Sequence, residues 1–321
     1  QRYLAADITY VPPTTYESLS PLLQAEYRVG DLLFSGGLRH ERARLEVDDY
    51  LTIPRNGSHL VSGGAPEYTE TLPNFGVVWE ATDALKLYAS YAEGYTVADV
   101  GRVLRGIKAA GQDVDALVDL TPVVADNREI GLDWDDGRWR AHAAAYWSDS
   151  DLGSLLIFDP ATQSYNVQRQ ATSIRGLEAN VAFRLSDATR LGLAHARTEG
   201  RYDSDGDDVP DSDLAGINIS PDRTTGFWEQ DWTPRVSTRL QGSVSADREF
   251  EFRGAPAGSF DGYAILDLQA RIAFAAGTLN LGVENLLDRR YISYFSQTTP
   301  ADDDYNAGRG RTLTASWAMR F

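Results

Sequence analysis

Hydrophobic and polar residues alternate one by one in several stretches of this chain. In 312–321 every odd-numbered residue is apolar, whereas the even-numbered positions carry Thr, Ser, Ala and Arg. The same alternation runs through 177–185, 235–244 and 263–274. A period of two places successive side chains on opposite faces of a β-strand. Each stretch is therefore predicted to be a strand with one apolar and one polar face.

The connections between these stretches also alternate, between short and long. The short ones lie at 30–31, 82–83, 135–137, 186–188, 233–234 and 275–277. The long, polar ones lie at 48–68, 96–122, 150–170, 203–221, 251–260 and 287–308. Outer-membrane barrels have tight periplasmic turns and long outer loops, with lipid on one face and a polar lumen on the other. The pattern predicts an all-β fold, a transmembrane antiparallel up-and-down β-barrel wall of about fourteen strands.

Aromatic residues give a dimensional check on this prediction. Trp139 and Trp147 fall eight residues apart on the same face of one predicted strand. At about 3.3 Å per residue and a tilt of roughly 40°, they are separated vertically by about 20 Å. An apolar band of about 25 Å flanked by aromatic girdles is typical of these barrels.

Composition excludes several other classes of protein. No run of about eighteen apolar residues is present, which excludes a helical membrane span. A net charge of −17 argues against nucleic acid as a partner. The absence of cysteine fits passage through an oxidising periplasm. No signal peptide precedes the first strand, so Gln1 is expected not to be the native start of an exported protein.

Several segments together resemble those of one known family. GVENLLDRRY (282–291) and YNAGRGRTLTASWAMRF (305–321) are similar to the C-terminal signature of the TonB-dependent outer-membrane receptors. The segments 32–41, 72–95, 126–134, 175–185 and 261–274 resemble their barrel strands. The resemblance implies a 22-stranded barrel that is closed by an N-terminal plug domain and energised through the TonB–ExbB–ExbD complex. Residues 1–321 are then expected to be the C-terminal part of such a barrel, without the plug and the first strands.

The resemblance also implies partners and a class of cargo. These receptors import large, scarce nutrients across the outer membrane. Outer-membrane lipid and the barrel assembly machinery are their other partners. The segment 93–107 resembles receptors for ferric siderophores, such as those of the hydroxamate or citrate-hydroxamate type. The chain lacks the FRAP and NPNL motifs of haem receptors, and its four His residues show no ligand spacing. A ferric siderophore is the predicted ligand, and no cofactor is required.

An anionic, amide-rich chelate needs aromatic surfaces and a few Arg or Lys donors at the outer mouth. The predicted ligand-binding residues are Tyr91, Tyr95, Arg102, Arg105, Lys108, Trp228, Tyr294 and Tyr305. Further mouth candidates are Arg169, Tyr291 and Phe295. For each residue taken singly, an aromatic girdle or a loop ion pair is the competing interpretation. The cluster of Tyr95, Arg102 and Arg105 is the preferred prediction.

An acidic loop supports a different nutrient. Asp203, Asp205, Asp207 and Asp211 have the alternating spacing, with a glycine between them, that wraps oxygen ligands around Ca²⁺. Position twelve of this loop, counted from Asp203, is Leu214 rather than the distal bidentate acid. Calcium in loop 203–213 would favour the alternative of a cobalamin receptor or another large-nutrient receptor.

Two further alternatives belong to other functional classes. A passive fourteen-stranded porin would conduct small solutes without TonB. A barrel or soluble enzyme would need catalytic groups, yet no G-x-S-x-G or H-E-x-x-H motif and no convincing Ser/His/Asp grouping is present. The chain is therefore not expected to be an enzyme. In a receptor, the polar face would contact the plug through Glu129, Asp133, Arg140, Glu178, Arg184, Gln241 and Arg271.

Overall fold

The computed structural model of the chain describes residues 11–97, 99–117, 121–159, 164–298 and 306–319. The strands are β1 (Thr14–Leu19), β2 (Leu22–Val29), β3 (Leu32–Val47), β4 (Tyr50–Leu51), β5 (Leu60–Val61), β6 (Glu67–Glu80), β7 (Leu85–Thr96), β8 (Val123–Asp135), β9 (Trp139–Asp159), β10 (Ser164–Arg184), β11 (Thr189–Tyr202), β12 (Ser212–Asp213), β13 (Arg223–Thr233), β14 (Val236–Ser245), β15 (Arg248–Phe252), β16 (Ala255–Phe260), β17 (Tyr263–Phe274), β18 (Gly277–Glu284) and β19 (Thr312–Ala318). The helices are α1 (Val100–Gly106) and α2 (Tyr294–Thr298), and single 3₁₀ turns span Pro54–Asn56 and Val114–Ala116. Neither described helix is long and apolar enough to cross a membrane.

One antiparallel sheet contains nearly all of these strands. Its order is β1-β3-β6-β7-β8-β9-β10-β11-β13-β14-β17-β18-β19, with β2 also paired to β3 and β12 to β11. Because β1 and β2 pair with opposite halves of β3, they occupy one position in the wall. The described residues thus form a wall of thirteen strand positions, within one hairpin of the predicted fourteen.

The predicted alternation of connections is confirmed, with one correction. All six short turns occur as predicted, and Gly30 and Gly137 adopt φ values of 55° and 82°, which favour glycine. The prediction of a long loop at 150–170 is wrong, because β9 runs to Asp159 and pairs there with the start of β10 at Ser164. Strands that stand above the membrane have no lipid-facing side, so they lose the alternation that marks a strand in the sequence.

Cross-strand pairing establishes the two faces of the wall. Directly paired residues share a face, so each row can be followed from strand to strand. One row is mainly apolar: Trp134, Ala141, Val181, Leu193, Gly226, Gly242 and Leu266. The adjacent row, on the opposite face, is mainly polar: Asp133, His142, Asn180, Ala194, Thr225 and Ser243. The predicted division into an apolar outer face and a polar inner face is therefore present.

The upper limit of the apolar belt lies at Trp147. This residue pairs with Arg128 on one side and Arg175 on the other, and all three share the outer face. Arg128 pairs with Asp149 at 3.3 Å, and Arg175 with Glu199 at 2.6 Å. At the lower end Trp139 packs on Phe183, with ring centroids 4.2 Å apart. Beyond Trp147, β9 continues for about 40 Å of strand into the outer loop region.

Long loops cover the outer end of the wall and contain its buried clusters. One cluster consists of Leu45, Val47, Tyr50, Val61, Val103, Leu104 and Val114. A second cluster consists of Leu155, Leu214 and Ile219. The wall is a single layer, so among the described residues the apolar cores form only where loops fold onto it. The loops are thus positioned by packing against the sheet.

Candidate ligand-binding site

Two long loops at the outer end of the wall join into one unit, here called the two-loop platform (residues 48–66 and 99–117). The Ser62 N–H donates to Gln112 O at 3.0 Å, and the Val114 N–H donates to Ser62 O at 3.1 Å. The Tyr50 hydroxyl donates to Leu104 O at 2.8 Å. Leu104 and Val114 are fully buried in the shared cluster. The platform is therefore a packed structural unit.

The local sequence explains why α1 forms on this platform. The Asp99 side chain caps the helix by accepting a hydrogen bond from the Arg102 N–H at 3.0 Å. Val100, Val103, Leu104 and Ile107 follow the i, i+3, i+4, i+7 spacing of an apolar helix face and pack into the cluster.

Two arginines share the remaining face of α1. Arg102 and Arg105 lie three residues apart, which places them on one side of the helix. The Arg102 guanidinium lies 3.2 Å from Asp99 Oδ2 and is 27% exposed. Lys108 follows the helix and is exposed, with no hydrogen bond or ion pair to the described part of the chain. Two of the predicted ligand-binding residues thus share one side of a helix at the outer mouth, and the third, Lys108, follows that helix in the chain.

The two tyrosines of β7 lie differently. Tyr91 pairs with Phe75 and Arg128, so it shares the outer face of the wall. Its hydroxyl donates to Glu93 and Asp126 at 2.9 and 3.1 Å. The Tyr95 hydroxyl is enclosed near Tyr16 and Tyr68 and does not reach solvent. Neither hydroxyl is presented to a ligand above the platform.

The remaining aromatic candidates support the wall or the loops. Trp228 pairs with Leu191 and Leu240 in the apolar belt and packs edge-on against Trp232 at 5.9 Å, so the structure places it away from the mouth. Its position six residues before the short turn at 234–235 explains this. Tyr294 donates to Ile219 O at 2.8 Å, and burial raises the pKa of its phenol. Tyr305 lies outside the described residues.

Three further mouth candidates also make structural contacts. The Arg169 guanidinium donates to Thr121 O at 2.6 Å and to Pro122 O at 3.1 Å. The Tyr291 ring packs on Tyr263 with centroids 4.3 Å apart. Phe295 is 49% exposed on α2. The first two fix the ends of loops, which leaves the basic side of α1 as the candidate site.

Three of the four acids predicted to bind calcium come together. Carboxylate oxygens of Asp203, Asp205 and Asp207 lie within 4.8 Å of one another. Asp203 accepts hydrogen bonds from the N–H groups of Asp205, Gly206 and Asp208 at 2.7–3.0 Å. Burial alone would raise the pKa of the Asp203 carboxyl, but these three donors outweigh it and lower that pKa.

The rest of the acidic loop fits calcium less well. The Asp211 carboxylate accepts hydrogen bonds from the Ser204 N–H and hydroxyl, each at 3.2 Å. Arg253 lies 3.7 Å from Asp205 and 3.9 Å from Asp211, so its guanidinium already supplies positive charge to the loop. Burial and the neighbouring Asp207 raise the pKa of Asp205. The triad has the oxygen donors that Ca²⁺ prefers, and calcium binding there stays a prediction.

The inner face carries a charge network beyond the polar residues predicted for it. Glu229 accepts from Arg190 at 2.8 Å and lies 3.6 Å from Arg239. The Arg239 guanidinium also stacks over the Phe227 ring at 3.9 Å. The predicted inner-face residues Gln241 and Arg271 belong to the same polar side of the wall. In the sequence, the charged Glu229 directly follows the apolar Trp228. This step from an apolar to a charged residue indicates that Glu229 lies on the polar face, and it is the signal that could have revealed the network.

Comparisons with known proteins agree with this geometry. Residues 3–286 match the family model described as TonB dependent receptor-like, beta-barrel. The ferric aerobactin receptor of Klebsiella pneumoniae is 25% identical over 100% of this chain and 45% of its own length. The rhizobactin receptor of Rhizobium meliloti (strain 1021) is 25% identical over 97% of this chain and 44% of its own length. The chain thus spans about 45% of the length of these relatives.

Solved structures show the same fold. The copper transporter OprC superimposes with a TM-score of 0.76 at 16% identity, covering 94% of this chain and 47% of its own. The ferric yersiniabactin uptake receptor FyuA from Yersinia pestis gives a TM-score of 0.72 at 17% identity, covering 94% and 45%. At these identities the likeness concerns the fold alone. Together with the family match, the two-faced wall and the outer loops show that the chain belongs to the TonB-dependent receptor-like β-barrel family.

Proposed function

We propose that this chain forms the barrel wall of an outer-membrane receptor that binds a ferric siderophore and imports it with energy from TonB–ExbB–ExbD. The observation that carries the proposal is the basic side of α1, held on a packed platform at the outer mouth. The family is one of transport receptors. The similarity to ferric aerobactin and rhizobactin receptors supports a siderophore as the ligand.

Electrostatics favour an anionic chelate at this position. The protein carries a net charge of −17, so an anion approaching it is repelled by most of the surface. Arg102, Arg105 and Lys108 supply three positive charges on and just after α1, of which Arg102 is paired with Asp99. Guanidinium groups donate paired hydrogen bonds to carboxylate-like oxygens, which gives both affinity and orientation.

The barrel itself would perform no chemistry. Its inner face would hold a plug domain through hydrogen bonds to polar side chains such as Glu229, Arg239 and Arg271. Ligand capture at the mouth would shift the position of the plug, and pulling by TonB would then open a path. The direction of transport would thus come from the energy-coupling complex.

A cobalamin or other large-nutrient receptor with calcium in an outer loop is the second candidate. The approach of Asp203, Asp205 and Asp207 to within 4.8 Å supports it. Calcium-dependent binding of cobalamin, with no binding of a ferric siderophore, would favour this candidate. Conduction of small solutes without TonB would instead indicate a passive porin.

Binding of ferric aerobactin by the native protein that carries this sequence tests the proposal. We expect Arg102→Ala and Arg105→Ala each to weaken binding about tenfold, because each removes charge-assisted hydrogen bonds worth about 1.5–3 kcal/mol. Tryptophan fluorescence titration in detergent gives the dissociation constant.

Arg235→Ala is the matched control for these substitutions. Arg235 is an exposed arginine in the short turn at the opposite end of the wall. Binding should be unchanged in this variant. Equal affinity in all four proteins would reject the basic side of α1 as the site, and absence of binding by the unaltered protein would reject ferric aerobactin as a ligand.

A further inference from the structure

At the C-terminal end of α1, backbone carbonyl groups accept hydrogen bonds from side chains of the other loop of the platform. The last carbonyls of a helix have no partner within the helix. Here Leu104 O accepts from the Tyr50 hydroxyl at 2.8 Å, and Arg105 O accepts from Asn56 Nδ2 at 2.5 Å. The residue that follows the helix end, Ile107, has an extended backbone, so α1 ends without a left-handed glycine cap.

The Tyr50 hydroxyl is a permanent donor in this position. Tyr50 is 7% exposed, within a cluster that includes the fully buried Val61 and Leu104. Burial raises the pKa of Tyr50 to about 12, so the phenol stays protonated at physiological pH. A buried carbonyl that lost this donor would be left unsatisfied.

The helix depends on these contacts because it is short. Isolated helices of seven residues do not form in water, since nucleation is costly and few hydrogen bonds follow it. The two hydrogen bonds and the shared cluster therefore fix both the conformation of α1 and its direction. Arg102 and Arg105 are in turn held at a constant separation on one side of it.

We propose that Tyr50 and Asn56 are positioning residues for ligand capture, which act by presenting Arg105 and its neighbour Arg102 to an anionic chelate. The proposal rests on the siderophore-receptor function proposed above. Binding groups held in place before the ligand arrives avoid the entropy cost of ordering them. Affinity should therefore depend on a hydroxyl that the ligand does not touch.

Titration of ferric aerobactin against Tyr50→Phe measures this dependence. Loss of one buried hydrogen bond should weaken binding about fivefold. Asn56→Ala should have a similar effect. Tyr146→Phe is the matched control, since it also removes one hydroxyl, which bonds to Thr198 Oγ1 at 2.8 Å on the inner wall. The affinity of this control should equal that of the unaltered protein.

A double-mutant cycle separates positioning from general stability. If Tyr50 acts through these two arginines, Tyr50→Phe should change affinity by less than about twofold in a background that carries both Arg102→Ala and Arg105→Ala. A full fivefold effect in both backgrounds would overturn the positioning role. Amide exchange within 100–106 should also rise in Tyr50→Phe, and unchanged exchange would overturn the role as well.

The same titration distinguishes a failure of the positioning role from a failure of the proposed siderophore-receptor function. Tight binding by the unaltered protein, with an equal affinity for Tyr50→Phe, would overturn the positioning role alone. No binding by the unaltered protein would overturn the siderophore function and the positioning role built on it.

Discussion

Three glycines on the inner face of the wall each lie beneath an aromatic ring of the neighbouring strand. Tyr88 pairs with Gly131, Tyr146 with Gly176, and Phe227 with Gly192. A Cβ atom added to Gly176 would lie 2.3 Å from the Tyr146 ring, and one added to Gly192 would lie 2.2 Å from the Phe227 ring. The rings thus cover exposed backbone and keep the inner face flat, as aromatic residues do beside glycine in other sheets.

Gly176→Val tests this arrangement. The new side chain should displace the Tyr146 ring and break its hydrogen bond to Thr198, at a cost of about 1–3 kcal/mol from overpacking. The temperature at which the barrel unfolds, observed as a change in its mobility on gel electrophoresis, should be lower in Gly176→Val. Gly258→Val is the control, because a Cβ there meets open space. Equal unfolding temperatures for the two variants would contradict the steric explanation.

Single residues were predictable where the alternation is strict. Glu129, Asp133, Arg140 and Glu178 were expected on the polar side, and their cross-strand rows confirm this. Tyr50 and Asn56 carried no such signal, because their roles depend on a helix about fifty residues away in the chain. Contacts between loops are set by tertiary packing that sequence periodicity does not encode.

At the scale of elements, strands in the apolar belt follow the sequence closely. The alternation at 235–244 and 263–274 corresponds to β14 (Val236–Ser245) and β17 (Tyr263–Phe274). The predicted loop at 251–260 instead contains most of the β15–β16 hairpin, and the loop at 96–122 contains α1. The hairpin stands above the apolar belt, so no strict alternation marks it, and α1 has an apolar face but spans only seven residues, which is shorter than the window over which a helical period can be recognised.

The acidic loop is an element whose stability should depend on pH. The pKa of Asp203 is lowered in the folded loop, so its stabilising contribution is complete above the unfolded value of about 3.9. This contribution is lost as pH falls through the lowered folded pKa. Asp211, also lowered, acts in the same direction, whereas Asp205, which is raised, opposes it.

Amide exchange at Asp205, Gly206 and Asp208 between pH 5 and pH 3 checks this sign. These three N–H groups donate to the Asp203 carboxylate, so their protection against exchange should decrease as the pH is lowered. In Asp203→Asn the protection should be lower at pH 5 and should change less on acidification. The same pH dependence in both proteins would show that Asp203 is not the responsible group.

At the scale of the whole molecule, one property organises the structure: the wall has an apolar and a polar face. The apolar face ends at Arg128 and Arg175, which flank Trp147, and the platform that carries Arg102 and Arg105 stands above that level. The family match and the strand order were foreseeable from the sequence. The identity of the proposed ligand was not, because the proposed contacts lie in loops whose geometry depends on packing between distant segments.

The orientation of the two faces can be measured with one pair of neighbouring residues. Ala143 pairs with Leu132 and Ala179 on the apolar face, whereas Ala144 pairs with Gly131 and Glu178 on the polar face. Because the chain contains no cysteine, Ala143→Cys and Ala144→Cys can each be spin-labelled singly. The two positions are adjacent on one strand and lie on opposite faces of the wall.

Accessibility of the two labels in outer-membrane lipid tests the central claim most directly. Oxygen, which concentrates in the bilayer, should relax the label at 143 more strongly, and a water-soluble nickel chelate should relax the label at 144. The opposite pattern, or equal exposure of both labels to water, would contradict the account.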